Sequence, residues 1–479
     1  MSDRGIKSYA AYIPRQRMDR AAIAAAHAWA MPGLKAAGKG ERAFCSWDED
    51  AITMSVDAVR ACLKSPLANA IGSLSFASTT APFADLQNAS VIAAASGLSA
   101  HLSSSDVGGS LRAGTSALIH ALESTNATDS MVVAADNRRA KPASPQEMQY
   151  GAGSAAVRTG TGDLIARYLG SASAVSQFAD HFRSSGQSYD YHWEERWVRD
   201  EGYLKIVPEV VERLFKNTGV SAAQIDYFCL AATISGVAPA VAKKLKIRPD
   251  AVVDNLASRC GDSGAAHPLM MLALALETAK PGQRILVIGF GAGADALLFE
   301  ATEALTSYRS AATVSDQVAR GVTDKNYTKL LSFSGELELD WGMRAEFDAK
   351  TSLTQLYRSS DQIISFIGGR CTACGAIQFP RMSACVQCGS DGALAPTPLA
   401  DEAAKVATFT ADWLQYYPAP PLYVGLVQFD NGARTLMEMV DIVPDKFDVG
   451  LPLRMVFRIK ERDGLRHHHR YFWKATPVG

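Results

Sequence analysis

Apolar residues recur along this chain with two different periods, and the change falls after about residue 310. Over Asp50–Leu63 the apolar positions Ala51, Ile52, Met54, Val56, Val59 and Leu63 keep helical spacing. Ile71–Ala77 reads as strand-like, and Ser130–Ala135 predicts a buried strand. Leu111–Leu122, after the small-residue turn Val107-Gly-Gly-Ser, predicts a second helix. Gly151-Ala-Gly-Ser-Ala-Ala-Val predicts a glycine turn entering a strand. The alternation then repeats. Val207–Phe215 reads as helix, Tyr227–Ala232 as strand, Ala238–Leu245 as helix, Ser263–Thr278 as a long helix and Arg284–Gly291 as strand. Two rounds of helix and buried strand predict a duplicated α/β architecture, with halves at 1–165 and 166–310.

Residues 311–364 read as a helical connection, and the text beyond it is β-like. Val406–Ala411, Tyr423–Phe429, Arg434–Val440 and Leu453–Ile459 are rich in β-branched and aromatic residues and are separated by turn clusters. Phe429-Asp-Asn-Gly-Ala is a hairpin signal. Arg466–Lys474 alternates and reads as a last strand, so its neighbours His467–His469 would face opposite ways and make a poor metal site. Several short strands of this kind predict a small OB-type barrel over 396–479.

The cysteines mark the boundary. Four of the eight stand as Cys371-x2-Cys374 and Cys385-x2-Cys388, each pair followed at once by a glycine. Such knuckles turn backbone N–H groups toward thiolates, and four thiolates satisfy tetrahedral Zn2+. A closed four-sulfur site has no open position, so the predicted zinc is structural, in a ribbon over 365–395. The other four, Cys45, Cys62, Cys229 and Cys260, are scattered.

Composition narrows the class further. The 479 residues carry 48 Lys+Arg against 49 Asp+Glu, a net charge of −1, which argues against nucleic acid or an anionic membrane surface as partner. At 48% hydrophobic and 20% charged the chain can bury ordinary cores. The start, MSDRGIKSYAAYIP, shows no export signal, and no apolar run reaches about 18 residues, so a cytoplasmic, membrane-free protein is expected.

At this point the residues resemble a known family. Trp47-Asp-Glu-Asp-Ala-Ile-Thr-Met-Ser-Val-Asp-Ala, Arg112-Ala-Gly-Thr-Ser-Ala, Tyr150-Gly-Ala-Gly-Ser-Ala-Ala, Gly261-Asp-Ser-Gly-Ala-Ala-His-Pro and Gly289-Phe-Gly-Ala-Gly-Ala-Asp resemble the thiolase superfamily. The branch is the one of HMG-CoA synthase, near ketoacyl synthase III. Residues beyond about 360 are similar to the zinc-ribbon/OB proteins that accompany thiolases, here fused. The resemblance implies an acyltransferase or C–C lyase, coenzyme A or an acyl-CoA as substrate, and a homodimer.

The family works through a nucleophilic Cys, a Glu and a His. Carried over by local motif, these positions hold Leu111, Thr79 and Ala232. Leucine cannot form an acyl-enzyme. The resemblance therefore implies a reaction that makes or breaks a C–C bond of a β-keto or β-hydroxy acid, or of its CoA thioester, without that intermediate. A bulky or aromatic substrate, as in aromatic compound degradation, suits the small apolar residues left at Leu111, Thr79 and Ala232. The alternative is a non-catalytic acyl-CoA-binding scaffold for a partner enzyme; ordinary HMG-CoA-type condensation, through Cys260, ranks below both.

Candidate proton relays are His267, beside the glycine turn, and His181, where the family has an active-site loop. Asp262 either orients His267 or caps its helix, and Cys260 is a candidate thiol nearby. Arg112 is positioned to hold a carboxylate or a CoA phosphate, and Gly291 lies where backbone approaches ligand in the family. Tyr189, Tyr191, His192 and Trp193 form an aromatic, polar loop that either lines a substrate entrance or packs between domains. Asp48-Glu-Asp reads as a helix cap, and Arg138-Arg-Ala-Lys as solvated surface.

Overall fold

In the computed structural model, residues 4–63, 71–346, 349–392 and 394–478 are described. The first three residues of the segment inspected for an export signal lie outside them. Two units are present: Met1–Ser46, Asp50–Ser90 and Ser99–Glu336 form the first, and Trp47–Glu49, Val91–Leu98 and Leu337–Gly479 the second.

The main elements of the first unit, in chain order, are β1 (Arg4–Tyr12), α1 (Ala51–Leu63), β2 (Ile71–Ala77), β3 (Ser103–Val107), α2 (Ala113–Glu123), β4 (Asp129–Asn137) and β5 (Ala152–Thr161). Then follow β6 (Ala166–Val175), α3 (Leu204–Thr218), β7 (Tyr227–Leu230), α4 (Val237–Leu245), α5 (His267–Thr278), β8 (Arg284–Phe290) and β9 (Gly293–Ala301). The strands form a nine-stranded sheet in the order β7-β8-β9-β6-β1-β5-β4-β2-β3. The same wiring occurs twice. β5 is antiparallel to β1 and β4, and β4 is parallel to β2. Likewise β9 is antiparallel to β6 and β8, and β8 is parallel to β7. The rounds join where Gly5 and Ile6 pair with Arg167 and Ala166. A Cβ on Gly5 would sit 2.1 Å from the Ala166 carbonyl oxygen, so this seam needs glycine.

α2 and α5 occupy equivalent places in the two rounds and pack together in the core. α5 is apolar on nearly all sides, as a fully buried helix must be. Leu269, Met270, Met271 and Leu272 are all 0% exposed; burying each such side chain stabilises by about 1.5–3 kcal/mol. A Cβ on Gly114 of α2 would meet the Ala265 carbonyl oxygen at 2.4 Å, which shows how closely the helix approaches. α2 begins at Ala113, two residues later than the apolar pattern predicts, and β7 ends at Leu230, before Ala231 and Ala232. Both displaced ends face the site described below. The stretch 311–364 is not one connection: residues through Glu336 belong to the first unit, and those from Leu337 to the second.

In the second unit, Ile367–Arg370 pairs with Ile377–Gln378 and Ala395–Pro398 in the ribbon. The barrel strands are β10 (Ala404–Val406), β11 (Thr410–Asp412), β12 (Leu422–Phe429), β13 (Arg434–Met439), β14 (Pro452–Asp463) and β15 (His468–Pro477). Their order is β10-β14-β15-β13-β12-β11, and β10–β12 pairing closes the barrel. The run expected as one strand from Val406 breaks. Ala407 and Thr408 N–H both donate to the Leu426 carbonyl, a bulge. Gly425 leaves room for it, since a Cβ there would lie 2.0 Å from Thr408 O. The expected hairpin forms, with Gly432 at φ +94°. His467 sits in the next turn at φ +52°, and the last strand starts at His468, two residues later than expected. The run Asp48-Glu-Asp is not one cap. Only Asp50 caps α1, accepting from Thr53 N–H at 2.9 Å, while Asp48 accepts from Lys474 Nζ at 2.9 Å and Glu49 lies 3.4 Å from Arg458. Among the described residues no helix is long and apolar enough to cross a membrane.

Candidate active site

Loops at the ends of β2, β4, β7 and β8 surround a cavity of about 650 Å3 and, beside it, a hollow of about 70 Å3. Asp180 and His181 line both and so mark their junction. Leu111 and Ala232, from the displaced ends of α2 and β7, line the hollow; Thr79 and Gly291 line the cavity.

The start of α2 is fixed from two sides. Ser110 Oγ donates to the Gly291 carbonyl at 2.8 Å. Gly291 has φ +151°, and a Cβ there would come within 2.5 Å of Ser110 Oγ. Arg112 Nη1 lies 2.7 Å from Asp295, which is 1% exposed and also accepts from Thr115 and Ser116. Arg112 is therefore committed to a buried carboxylate, and its assignment to a carboxylate or CoA phosphate of a ligand is corrected. Thr79 is held in a comparable way. Fully buried Asp136 accepts from the Ser78, Thr79 and Thr80 hydroxyls and from Thr79, Thr80 and Ala265 N–H groups. One carboxylate thus ties the loop after β2 to the turn before α5.

Two further candidates change role. His267 is 2% exposed; its Nδ1 accepts from Ser263 N–H at 3.1 Å, and its Nε2 donates to the Asn255 carbonyl at 2.7 Å. Both ring nitrogens are used, and the residue lines neither space. It packs as a core histidine and is no proton relay. Cys260 is 1% exposed, and burial pushes its thiol up to about 11. A thiolate nucleophile needs the opposite setting. Asp262 lines the hollow, pairs with Arg138 Nη1 at 3.1 Å through one oxygen and lies 3.6 Å from His267 Nδ1 through the other.

His181 lines both spaces. It opens a short hairpin in which His181–Phe182 pairs with Tyr191–His192. Its Nδ1 lies 2.8 Å from Asp180 Oδ2. A carboxylate only accepts, so Nδ1 carries the hydrogen of this bond, and in the neutral ring Nε2 is the acceptor. The aromatic loop divides. His192 and Trp193 line the hollow, Tyr191 is 60% exposed against Phe182, and Tyr189 turns away to Glu336.

The sequence reading missed the network beneath this hairpin. Arg138, read as solvated, is 3% exposed. It pairs with Asp190 at 2.8 Å, donates to the Tyr150 hydroxyl at 2.5 Å and stacks over that ring. The Tyr150 hydroxyl donates to Asp190 at 2.8 Å and lies 2.5 Å from His192 Nε2. Burial pushes the Asp190 carboxyl up, but Arg138, Tyr150 and His181 outweigh it and hold it below its usual range. Burial, then the charge of Arg138, lowers His192 to about 4, so it is neutral. The hollow around Leu111 and Ala232 is thus polar and charged, not small and apolar throughout.

The four sulfurs of Cys371, Cys374, Cys385 and Cys388 lie within 4.8 Å of one another, with Cys371–Cys388 at 3.8 Å and Cys374–Cys385 at 3.6 Å. A tetrahedron with 2.3 Å Zn–S bonds has edges of about 3.8 Å, so the set fits zinc. Backbone N–H groups of Cys374 and Ala373 face Cys371, and those of Cys388 and Gln387 face Cys385. Cys374→Ser is expected to lower bound zinc from one equivalent and to remove the ribbon's thermal transition, by metal analysis and calorimetry. Unchanged zinc and melting would contradict the site.

The comparisons agree with this architecture. Residues 215–299 match the family of the 3-oxoacyl-[acyl-carrier-protein (ACP)] synthase III C terminal, and residues 362–394 the ChsH2 rubredoxin-like zinc ribbon domain. A hydroxymethylglutaryl-CoA synthase of Aeropyrum pernix is 31% identical over 64% of this chain and 86% of its own length. That of Methanopyrus kandleri is 29% identical over 68% of this chain and 96% of its own. A solved HMG-CoA synthase complexed with CoA covers 73% of this chain and 94% of its own at TM-score 0.61 and 16% identity. The 3-oxoacyl-(acyl carrier protein) synthase III of Pseudomonas aeruginosa covers 63% of this chain and 98% of its own at TM-score 0.56 and 19% identity. Relatives about 30% identical and matched over most of their own length lead to one assignment: the chain belongs to the hydroxymethylglutaryl-CoA synthase family, acyl-CoA-condensing enzymes of the thiolase superfamily.

Proposed function

We propose that this enzyme makes or breaks the Cα–Cβ bond of a β-hydroxy- or β-ketoacyl-CoA without an acyl-enzyme. The observation that carries the reading is the Asp180–His181 pair at the junction of cavity and hollow, beside Leu111 where the family has its cysteine. Solved neighbours hold CoA and 3-hydroxy-3-methylglutaryl-CoA, which supports a CoA thioester here.

In the cleavage direction, His181 Nε2 takes the β-hydroxyl proton. The Cα–Cβ bond breaks and its electron pair becomes the thioester enolate. Cα takes a proton, leaving a carbonyl compound and a shorter acyl-CoA. A β-keto substrate instead needs the CoA thiol or water to attack its carbonyl. The aromatic class is supported by Phe76, Phe83, Phe178 and Phe182, all on the cavity wall. A cavity of about 150 Å3 accommodates benzene. The 70 Å3 hollow is too small for a ring, so the ring belongs in the larger space and the reacting carbonyl in the hollow.

Mass spectrometry of incubations with 3-aryl-3-hydroxyacyl-CoA and aroylacetyl-CoA, with and without free CoA, tests this reading. It expects an aromatic carbonyl compound or aroyl-CoA together with acetyl-CoA. Tight binding with no turnover across the panel would contradict it and favour the scaffold.

A further inference from the structure

Tyr203 is a polar group of the hollow that the Arg138 network leaves unused. Its side chain is 8% exposed and lines the hollow together with Leu111, Ala232 and His181. Tyr150, His192, Asp190 and Asp262 each have protein partners there. The Tyr203 hydroxyl has none among the described residues. A hydroxyl that lines a hollow without a protein partner is left with its donor for a ligand atom.

The local fold holds this side chain in place. Val198–Tyr203 forms a single π-helical turn ahead of α3, and both its end residues line the hollow. Such turns carry one extra residue and recur at functional sites. The Tyr203 ring stacks on Phe290 with centroids 4.1 Å apart. A Cβ on the preceding Gly202 would lie 2.8 Å from Phe178 and 2.9 Å from Phe290, so any larger residue would push the turn away. Burial, then Asp180 and Asp262, raises the phenol well above its ordinary value. It stays protonated and can only act as a neutral donor.

We infer that Tyr203 donates a hydrogen bond to the thioester carbonyl oxygen of the bound β-hydroxyacyl- or β-ketoacyl-CoA and stabilises the enolate that this oxygen becomes. The inference rests on the reaction proposed above. The phenol gives up no proton; its bond strengthens as negative charge collects on the oxygen. With His181 serving the hydroxyl, the two halves of the cleavage fall to two different residues.

Acetoacetyl-CoA is the probe, because its enolate has its own ultraviolet band. Bound to the wild-type chain it should ionise at lower pH than when free. In Tyr203→Phe that ionisation should move back toward the free value by about one pH unit or more, a tenfold change. The dissociation constant should stay within about threefold, since the donor acts on the enolate more than on the ketone. Phe keeps the stack on Phe290, so melting should be unchanged. A variant that ionises the probe as the wild type does would overturn the inference. So would a wild-type complex with no shift, which leaves the C–C reaction to be judged by turnover. A wild-type chain that binds no CoA thioester would overturn both.

Discussion

His181→Ala is expected to lower kcat by about 10²–10⁴-fold, the usual worth of a positioned acid–base group. The residue is the one candidate base whose acceptor nitrogen is open at the junction of the two spaces. Its ring stacks on His192 with centroids 5.6 Å apart, so the alanine variant removes the base while the hairpin partner stays tied to Tyr150. KM should change little, because most of the ligand surface lies in the 650 Å3 cavity. Asp180→Asn should give a smaller loss, since the ring would be misoriented rather than absent. Steady-state kinetics on the substrate found by mass spectrometry measures both. Full rate in His181→Ala would remove this residue from the mechanism.

The largest expected effect on stability is at Arg138. Arg138→Met leaves Asp190 and Asp262 without the guanidinium that lies 2.8 and 3.1 Å away. Breaking one side of a buried ion pair destabilises by about 3–5 kcal/mol. Denaturant unfolding of the first unit's transition should show it, and a loss below about 1 kcal/mol would contradict the buried network. The wild-type chain should also show the network in its pH dependence. His192 is lowered from 6.5 to about 4. The unfolded chain therefore takes up a proton near pH 6.5 that the folded chain refuses until about 4. Stability from this residue is complete above pH 6.5 and is lost as pH falls toward 4. Depressed Asp190 acts in the same sense at still lower pH.

The same network shows where sequence reading reaches and where it stops. Ile71–Ala77 is read correctly to the residue, because its buried Ile71, Leu74, Phe76 and Ala77 stand in one short run. The ribbon is equally local: two knuckles and their glycines lie within one short window. Arg138 is the opposite case. Its meaning depends on Asp190 and Asp262, 52 and 124 residues further on, and Arg-Arg-Ala-Lys alone looks solvated. His267 misled because nearness to the glycine turn says nothing about which way its ring nitrogens point. Leu111 and Ala232 were found only by motif carry-over, and their shared hollow emerges from the displaced ends of α2 and β7. Tyr203 carried no sequence signal. A tyrosine on an apolar helix face is normally core, and only its unpartnered hydroxyl and the π-helical turn distinguish it.

C–C chemistry with no covalent acyl intermediate is read most directly by intact-mass spectrometry during turnover. The chain is mixed with a turning-over acyl-CoA, quenched in acid at times from before the first turnover to steady state, and weighed. Product should form with the protein at its unmodified mass throughout. An acyl adduct that forms within the first turnover, decays with the product rate and maps to a cysteine would contradict it.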